Sequence, residues 1–263
     1  MFEFHADRKR YFDIQQVTTN DYVIPFVEES IQIIPGMRVL EIGCGEAGVL
    51  KAFIDKGCTG IGVEFDEPRI RNAEIWLADD IAQGKIKFIS QDIYDVKDVG
   101  SLGGKFDIII LKDVIEHIHD QEKLISWMRE FLTDSGVIFF GFPPWQMPFG
   151  GHQQMCRNKV LSKLPYYHLL PKPLYKAILK SKGEDWRALL EIKETGISIE
   201  RFESLLKKCN YKTLNKKFYL FNPIYRYKFG IKPRKQFSLI AHIPYLRNFL
   251  TTGVYYLVQP VKQ

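Results

Sequence analysis

A chain of 263 residues with 46% hydrophobic content can bury a full core, and it suits one α/β domain better than two independent ones. It contains no apolar run of about 18 residues, and its first residues lack the basic-then-apolar order of a signal peptide, so a cytoplasmic protein without a membrane-spanning helix is expected. The net charge of +6 conceals an asymmetry, because residues 1–150 carry 15 Lys/Arg against 25 Asp/Glu while residues 151–263 carry 22 against 6.

In chain order, a helix is predicted over residues 20–33, ahead of Pro35-Gly36. A buried strand follows at 38–42, then a helix at 47–56, a strand at 60–64, and a helix at 68–82 with proline at its start. Strands are predicted at 86–89 and at 106–111, where the run Ile108-Ile109-Ile110 reads as a central strand buried on both faces. A helix at 120–132 and a strand at 137–140 complete the alternation, which argues for a doubly wound parallel sheet with helices on both faces. Past Pro143-Pro144 the rhythm breaks, and residues 146–197 read as an insertion before a helix at 198–209 and two strands at 212–221 and 253–258. A connection that long inside a compact domain is usually functional. The whole chain is thus read as one domain: a ligand-binding half, 1–145, a substrate-side insertion, 146–197, and a C-terminal helix with a strand pair, 198–263.

The turn after the first strand, Val39-Leu40-Glu41-Ile42-Gly43-Cys44-Gly45-Glu46-Ala47-Gly48, places glycines where a ligand can approach the backbone and the free N–H groups of a helix start. By spacing this is GxGxxG, a motif shared with enzymes that bind dinucleotides. Glu64 closes the second strand 21 residues after Gly43, a position suited to a ribose diol in either class. Glu41, two residues before the first glycine, would repel a pyrophosphate and suits a cationic ligand instead. Gln91-Asp92-Ile93 ends the third strand with an acid and an aliphatic, able to receive an adenine amino group and cover its ring, with a helix or turn cap as the alternative for Asp92. Lys112-Asp113-Val114-Ile115-Glu116-His117 follows the fourth strand at the carboxyl edge, where open α/β sheets bind ligands.

Taken in order, these four segments resemble the motifs of class I S-adenosylmethionine-dependent methyltransferases over residues 35–145. The resemblance implies a Rossmann-like seven-stranded sheet with its last strand antiparallel, and S-adenosylmethionine as cofactor. It implies that Gly43, Cys44 and Gly45 underlie the methionine part, with Glu41 beside it, that Glu64 binds the ribose hydroxyls, and that Asp92 and Ile93 hold the adenine. Phe65 would lie near the ring and the Lys112 backbone would face the sulfonium. Tyr11 and Gln15 fall where such enzymes have an N-terminal helix closing over the cofactor. A nicotinamide-dependent oxidoreductase and a non-catalytic binding module of the same fold remain rivals.

His117 is a candidate base for a hydroxyl acceptor, since an imidazole with a pKa of about 6.5 suits proton removal at neutral pH, with a structural role as its alternative. His152, after Gly150-Gly151, is the second, with a loop-anchoring role as its alternative. The insertion offers Trp145, Met147, Phe149, Tyr166, Tyr167, Leu169 and Leu170 for a lid or for packing. Phe142-Pro143-Pro144-Trp145 lies after the fifth strand, not the fourth, so the signature of amino methylation on nucleic acid is lacking and nucleic acid is disfavoured as a partner. A small molecule, or a glycan or lipid-linked intermediate, methylated on oxygen, is the expected substrate. Beyond Glu203 no acid occurs, while Tyr225, Arg226, Tyr227, Lys228, Phe229, Lys232, Arg234 and Lys235 interleave basic and aromatic groups, a surface open to peripheral contact with an anionic membrane. Cys44, Cys58, Cys156 and Cys209 show no metal-ligand spacing, so no metal is expected. The sequence does not give the oligomeric state.

Overall fold

Because Ile108 and Ile110 face one way from an extended chain and Ile109 and Leu111 the other, a strand of such residues needs cover on both sides. In a computed structural model, which describes residues 7–96 and 98–261, that cover is present. The strands are β1 (Arg38–Ile42), β2 (Thr59–Glu64), β3 (Ile86–Ser90), β4 (Phe106–Lys112), β5 (Leu132–Phe142), β6 (Tyr211–Phe221), β7 (Arg234–Lys235) and β8 (Gly253–Pro260). They form one sheet in the order β3-β2-β1-β4-β5-β8-β6-β7. β1 to β5 pair in parallel, and β8 runs antiparallel to both β5 and β6.

Eight strands replace the seven expected, because the two residues of β7 join the free edge of β6. A pair so short, preceded by Pro233, leaves no periodicity to read. The expected antiparallel last strand is β8.

One face of the sheet, with Leu40, Ile109, Leu111, Ile138 and Phe140, packs under α6 (Gln121–Met128) and α9 (Ile199–Lys208). The opposite face, with Val39, Ile108, Ile110 and Phe139, packs under α1 (Arg8–Thr18), α2 (Ile24–Glu28) and α3 (Gly48–Asp55). The helix predicted at 20–33 is the end of a longer helical run that starts at Arg8, passes a π-turn at Thr19–Val23 and stops at Glu28. The Asp7 carboxylate starts it, accepting the Arg10 N–H at 2.9 Å, while Pro35 and the positive φ of Gly36 shape the turn beyond it. The helix predicted at 68–82 is two, α4 (Glu67–Trp76) and α5 (Ala78–Ala82), broken where Leu77 turns into the core. β5 begins five residues earlier than predicted, since Leu132 already pairs with Phe106 across a register shift.

The insertion folds around a third apolar cluster of its own, in which Tyr175 and Leu179 of α7 (Lys172–Ser181) meet Leu189 and Leu190 of α8 (Trp186–Thr195). Gly150 and Gly151 serve close packing there, as any Cβ would come 2.1 Å from the Trp145 carbonyl oxygen or 2.3 Å from His168 Cβ. The left-handed backbone at this turn belongs to His152, at φ +54°. No helix among the described residues is long and apolar enough to cross a membrane.

Candidate active site

The carboxyl ends of the parallel strands meet along one edge, and the turn after β1 forms its floor. The N–H groups of Gly43 and Cys44 donate to the Val63 carbonyl at 2.8 and 3.1 Å, fastening the turn to β2. Gly43 and Gly45 have φ of +68° and +55°, a region that costs most L-residues roughly 1–2 kcal/mol. A Cβ on Gly43 would lie 2.6 Å from Val114 Cγ2, and one on Gly45 2.2 Å from the Arg69 guanidinium. The turn is therefore a cradle with neighbours already at contact. Cys44 points its thiol beneath the floor toward Gly62, so only its backbone belongs to the cradle's upper surface.

Three buried carboxylates surround this turn. Glu64 accepts from the Gly45 N–H at 2.9 Å and the Asp66 N–H at 3.0 Å, with Arg69 Nη1 at 3.8 Å. Glu46 pairs with Arg69 at 3.1 Å and Arg8 at 3.5 Å. Glu41 accepts the Leu50 N–H at 2.9 Å from the first turn of α3. Burial pushes the pKa of Glu41 up to about 8, with that N–H and nearby Lys112 opposing the shift.

Helix α1 roofs the cradle. A Cβ on Gly48 would come 2.5 Å from the Phe12 carbonyl oxygen, so α1 and α3 touch through backbone. This contact places Tyr11 within electrostatic reach of Arg69 and Lys112, and buries Gln15 with its Oε1 lacking a hydrogen-bond partner. Lys228, from α10 (Tyr225–Phe229), reaches across so that its ammonium lies 4.8 Å from the centre of the Tyr11 ring. Lys112 turns its buried ammonium to Asp113 Oδ2 at 2.7 Å. Its pKa is raised: burial works against the charge, and Asp113, Tyr11 and Glu41 outweigh burial. Lys112 thus contributes a side chain as well as the expected backbone.

At the neighbouring strand ends, Phe65 is 76% exposed, an unusual state for a phenyl ring beside a polar cleft. Asp92 is exposed and caps a 3₁₀ turn, accepting the Tyr94 N–H at 2.9 Å, while Ile93 is buried below it.

Beyond β4 the backbone enters the left-handed region at Asp113, φ +59°, whose N–H donates to the Gly141 carbonyl at 2.7 Å. The following 3₁₀ turn, Ile115–His117, buries Glu116 and leaves His117 at the rim. Burial pushes Glu116 far above the usual carboxylate range. The crowded rim lowers the His117 pKa, with Asp113 opposing. His152 meets it edge to face, ring centres 5.0 Å apart. His168 anchors the same insertion, fully buried between the Trp145 carbonyl at 2.9 Å and the Gln153 amide at 2.8 Å. Burial lowers the His168 pKa to about 4.

The structure thus gathers Tyr11, Gln15, Glu41, Gly43, Gly45, Glu64 and Lys112 around one cradle, sets Phe65, Asp92 and Ile93 at the adjoining strand ends, and brings His117 to His152. Sequence reasoning missed Glu46, Arg69, Glu116 and Lys228. Glu116 and Glu46 lie inside motifs already noticed and were legible as buried acids. Arg69 and Lys228 reach the site through tertiary contacts that no local pattern announces.

A methyltransferase-domain family profile matches residues 20–214, about three quarters of the chain. Among curated relatives, the ubiquinone biosynthesis O-methyltransferase of Bartonella bacilliformis is 25% identical over 169 residues, covering 62% of this chain and 64% of that protein. The chain spans about 40 to 64% of the length of the first curated relatives it matches. Among solved structures, a putative sarcosine dimethylglycine methyltransferase from Galdieria sulphuraria aligns with TM-score 0.59 at 14% identity, covering 92% of this chain and 85% of that one. Magnesium protoporphyrin IX methyltransferase from Synechocystis, with bound SAH, aligns with TM-score 0.52 at 15% identity, covering 93% and 83%. With the profile spanning the cradle and both faces of the sheet, the chain belongs to the methyltransferase-domain family and carries the class I Rossmann-like fold of S-adenosylmethionine-dependent methyltransferases.

Proposed function

We propose that this protein binds S-adenosylmethionine in the cradle after β1 and transfers its methyl group to an oxygen of a small molecule, or of a glycan or lipid-linked intermediate. The observation that carries this reading is Glu64: its carboxylate is held by two backbone N–H groups beside Gly45 and keeps further lone pairs for a ribose diol. The donor set around it fits the rest of the cofactor. Glu46 and Glu64, joined by Glu41 once it ionises, favour a cation and oppose a pyrophosphate, and the orphaned Oε1 of Gln15 is an acceptor without a donor. Phe65 offers an uncovered ring, and Asp92 with Ile93 an acid above an apolar floor. Arg69 has to swing off Gly45, a movement open to the far end of a long side chain.

When bound, the cofactor supplies a methyl group activated by a sulfonium. The protein's part is alignment, since holding two reactants in line converts a bimolecular step into a unimolecular one. Tyr11 and Gln15 on α1 exclude water from above. His117 and His152 stand where an acceptor hydroxyl has to lose its proton.

Calorimetry with S-adenosylmethionine, S-adenosylhomocysteine and NAD(H) tests the reading. Micromolar binding of the first two and none of the third is expected, whereas binding of NAD(H) alone would replace this function with hydride transfer.

The same proposal extends to where the acceptor is met. Between residues 229 and 250 the chain exposes Phe237, Leu239, Ile243, Tyr245, Leu246 and Phe249. Lys232, Arg234 and Lys235 lie among them, also exposed. Apolar side chains set among cations suit the headgroup boundary of an anionic bilayer, and a lipid-linked acceptor would be reached there.

A further inference from the structure

Glu116, His117 and His152 come from two separate loops, yet each offers one ligand atom and these atoms lie within 4.8 Å of one another. Nothing in the cofactor cradle requires this. Glu116 is 4% exposed, and its Oε2 is buried with no hydrogen-bond partner. An isolated buried carboxylate oxygen is costly, and a cation is one of the few groups that removes the cost. The backbone is bent to build the cluster: Asp113 at φ +59° precedes the turn that carries Glu116 and His117, and His152 is itself at φ +54°. Strained conformations of this kind persist where surrounding structure enforces them, and they concentrate at functional sites.

We propose that Glu116, His117 and His152 bind a divalent cation of borderline softness, such as Mn²⁺ or Zn²⁺. Two imidazoles and one carboxylate match such ions and disfavour Ca²⁺, which takes six to eight oxygens. Ligand atoms about 2.1 Å from an ion stand roughly 3.0 to 3.4 Å apart, so rotations of these three side chains close the set. Glu116 is buried and His117 exposed, so an ion held between them is reached from solvent. Asp113 adds negative charge close by, since its field acts on Glu116 and His117.

The role of the ion deepens the methyl-transfer reading and rests on it. With the cation in place, His117 and His152 act as ligands, and the cation lowers the pKa of an acceptor hydroxyl coordinated to it. The proton leaves to solvent, the oxygen lone pair forms the new bond to the methyl carbon, and the carbon–sulfur bond breaks with its electron pair remaining on sulfur. The site itself needs no methyl-transfer reading, and its test is independent of one.

Protein treated with chelator is titrated with MnCl₂, ZnCl₂ and CaCl₂ by calorimetry, and the Mn²⁺-loaded native protein is examined by pulsed electron paramagnetic resonance. One Mn²⁺ or Zn²⁺ per chain is expected, with nitrogen couplings from two imidazoles, and with affinity falling at least tenfold in Glu116→Gln and His152→Ala. No saturable binding, equal binding by both variants, or bound Mn²⁺ without nitrogen coupling would each overturn the site. The spectrum needs no variant, so a variant that fails to fold does not leave the question open. S-adenosylmethionine titrated into the same samples reports separately on the cradle, which distinguishes a failed cation site from a failed function.

Discussion

Glu64 and Glu41 are both buried acids at strand ends, yet their surroundings give them different work. Glu64 is bound by two N–H groups, and replacing it with alanine orphans both donors as well as any ribose hydroxyls. Glu64→Ala should weaken S-adenosylmethionine by about 1.5 to 3 kcal/mol, the range for hydrogen bonds to a charged group; unchanged affinity in calorimetry would remove Glu64 from the site. Glu41 has one N–H and a folded pKa raised from the ordinary 4.5 to about 8. An acid whose pKa rises on folding contributes stability that is complete below pH 4.5 and fades as pH climbs through 8, because the folded state must then hold the charge. A sulfonium ligand prefers the ionised form, so its affinity should strengthen across that same window. Thermal unfolding and calorimetry between pH 5 and 9 should show both trends, and Glu41→Gln should flatten them. Individual residues of this kind were legible in the sequence where a motif set their spacing from Gly43. Arg69 and Lys228 were not, because their position over the cradle depends on how α4 and α10 pack.

Elements were more legible than their ends. Apolar runs such as 106–111 announced β4 and the central sheet, and the alternation of strands with helices announced the doubly wound order. What periodicity could not announce was continuity, as in the helical run from Arg8 to Glu28, or brevity, as in the two residues of β7. The Tyr and Leu content of the insertion suits a lid or packing alike; Tyr167, Tyr175, Leu179, Leu189 and Leu190 pack into a small core of their own. The element that matters most to the cradle is α1, fixed by the absence of a side chain at Gly48. Gly48→Ala puts a Cβ 2.5 Å from the Phe12 carbonyl oxygen and 3.0 Å from Gln15 Cβ, so backbone has to yield. Overpacking of this kind costs about 1 to 3 kcal/mol. The variant should unfold at lower temperature, and hydrogen exchange should rise across residues 8–18 while β1 and β4 stay protected. Equal protection of α1 in both proteins would show that the helix is held elsewhere.

At the scale of the molecule, charge is segregated: about −10 over residues 1–150 and +16 over the remainder. Part of the basic excess is spent internally, since Arg247 pairs with Glu200 and Glu203 at 2.9 and 2.7 Å and Arg226 lies against Tyr22 and Asp21. Lys232, Arg234 and Lys235 stay exposed beside the apolar residues, and the Arg234 guanidinium lies 4.5 Å from the centre of the Phe237 ring. Each basic residue near an anionic surface contributes about 1 kcal/mol, and salt screens it within a Debye length of about 8 Å at physiological ionic strength. Leu239, 77% exposed, adds burial that salt does not weaken. The two contributions therefore separate in one experiment with vesicles. Sedimentation with vesicles containing phosphatidylserine should exceed that with phosphatidylcholine alone and fall as salt rises. Lys232→Glu with Lys235→Glu should abolish the preference, and Leu239→Glu should lower binding to both kinds of vesicle while leaving S-adenosylmethionine affinity unchanged, as Leu239 lies in the segment after β7, the strand at the far edge of the sheet from β1. Equal sedimentation of all variants would leave the apolar face without a membrane role and confine the acceptor to solution.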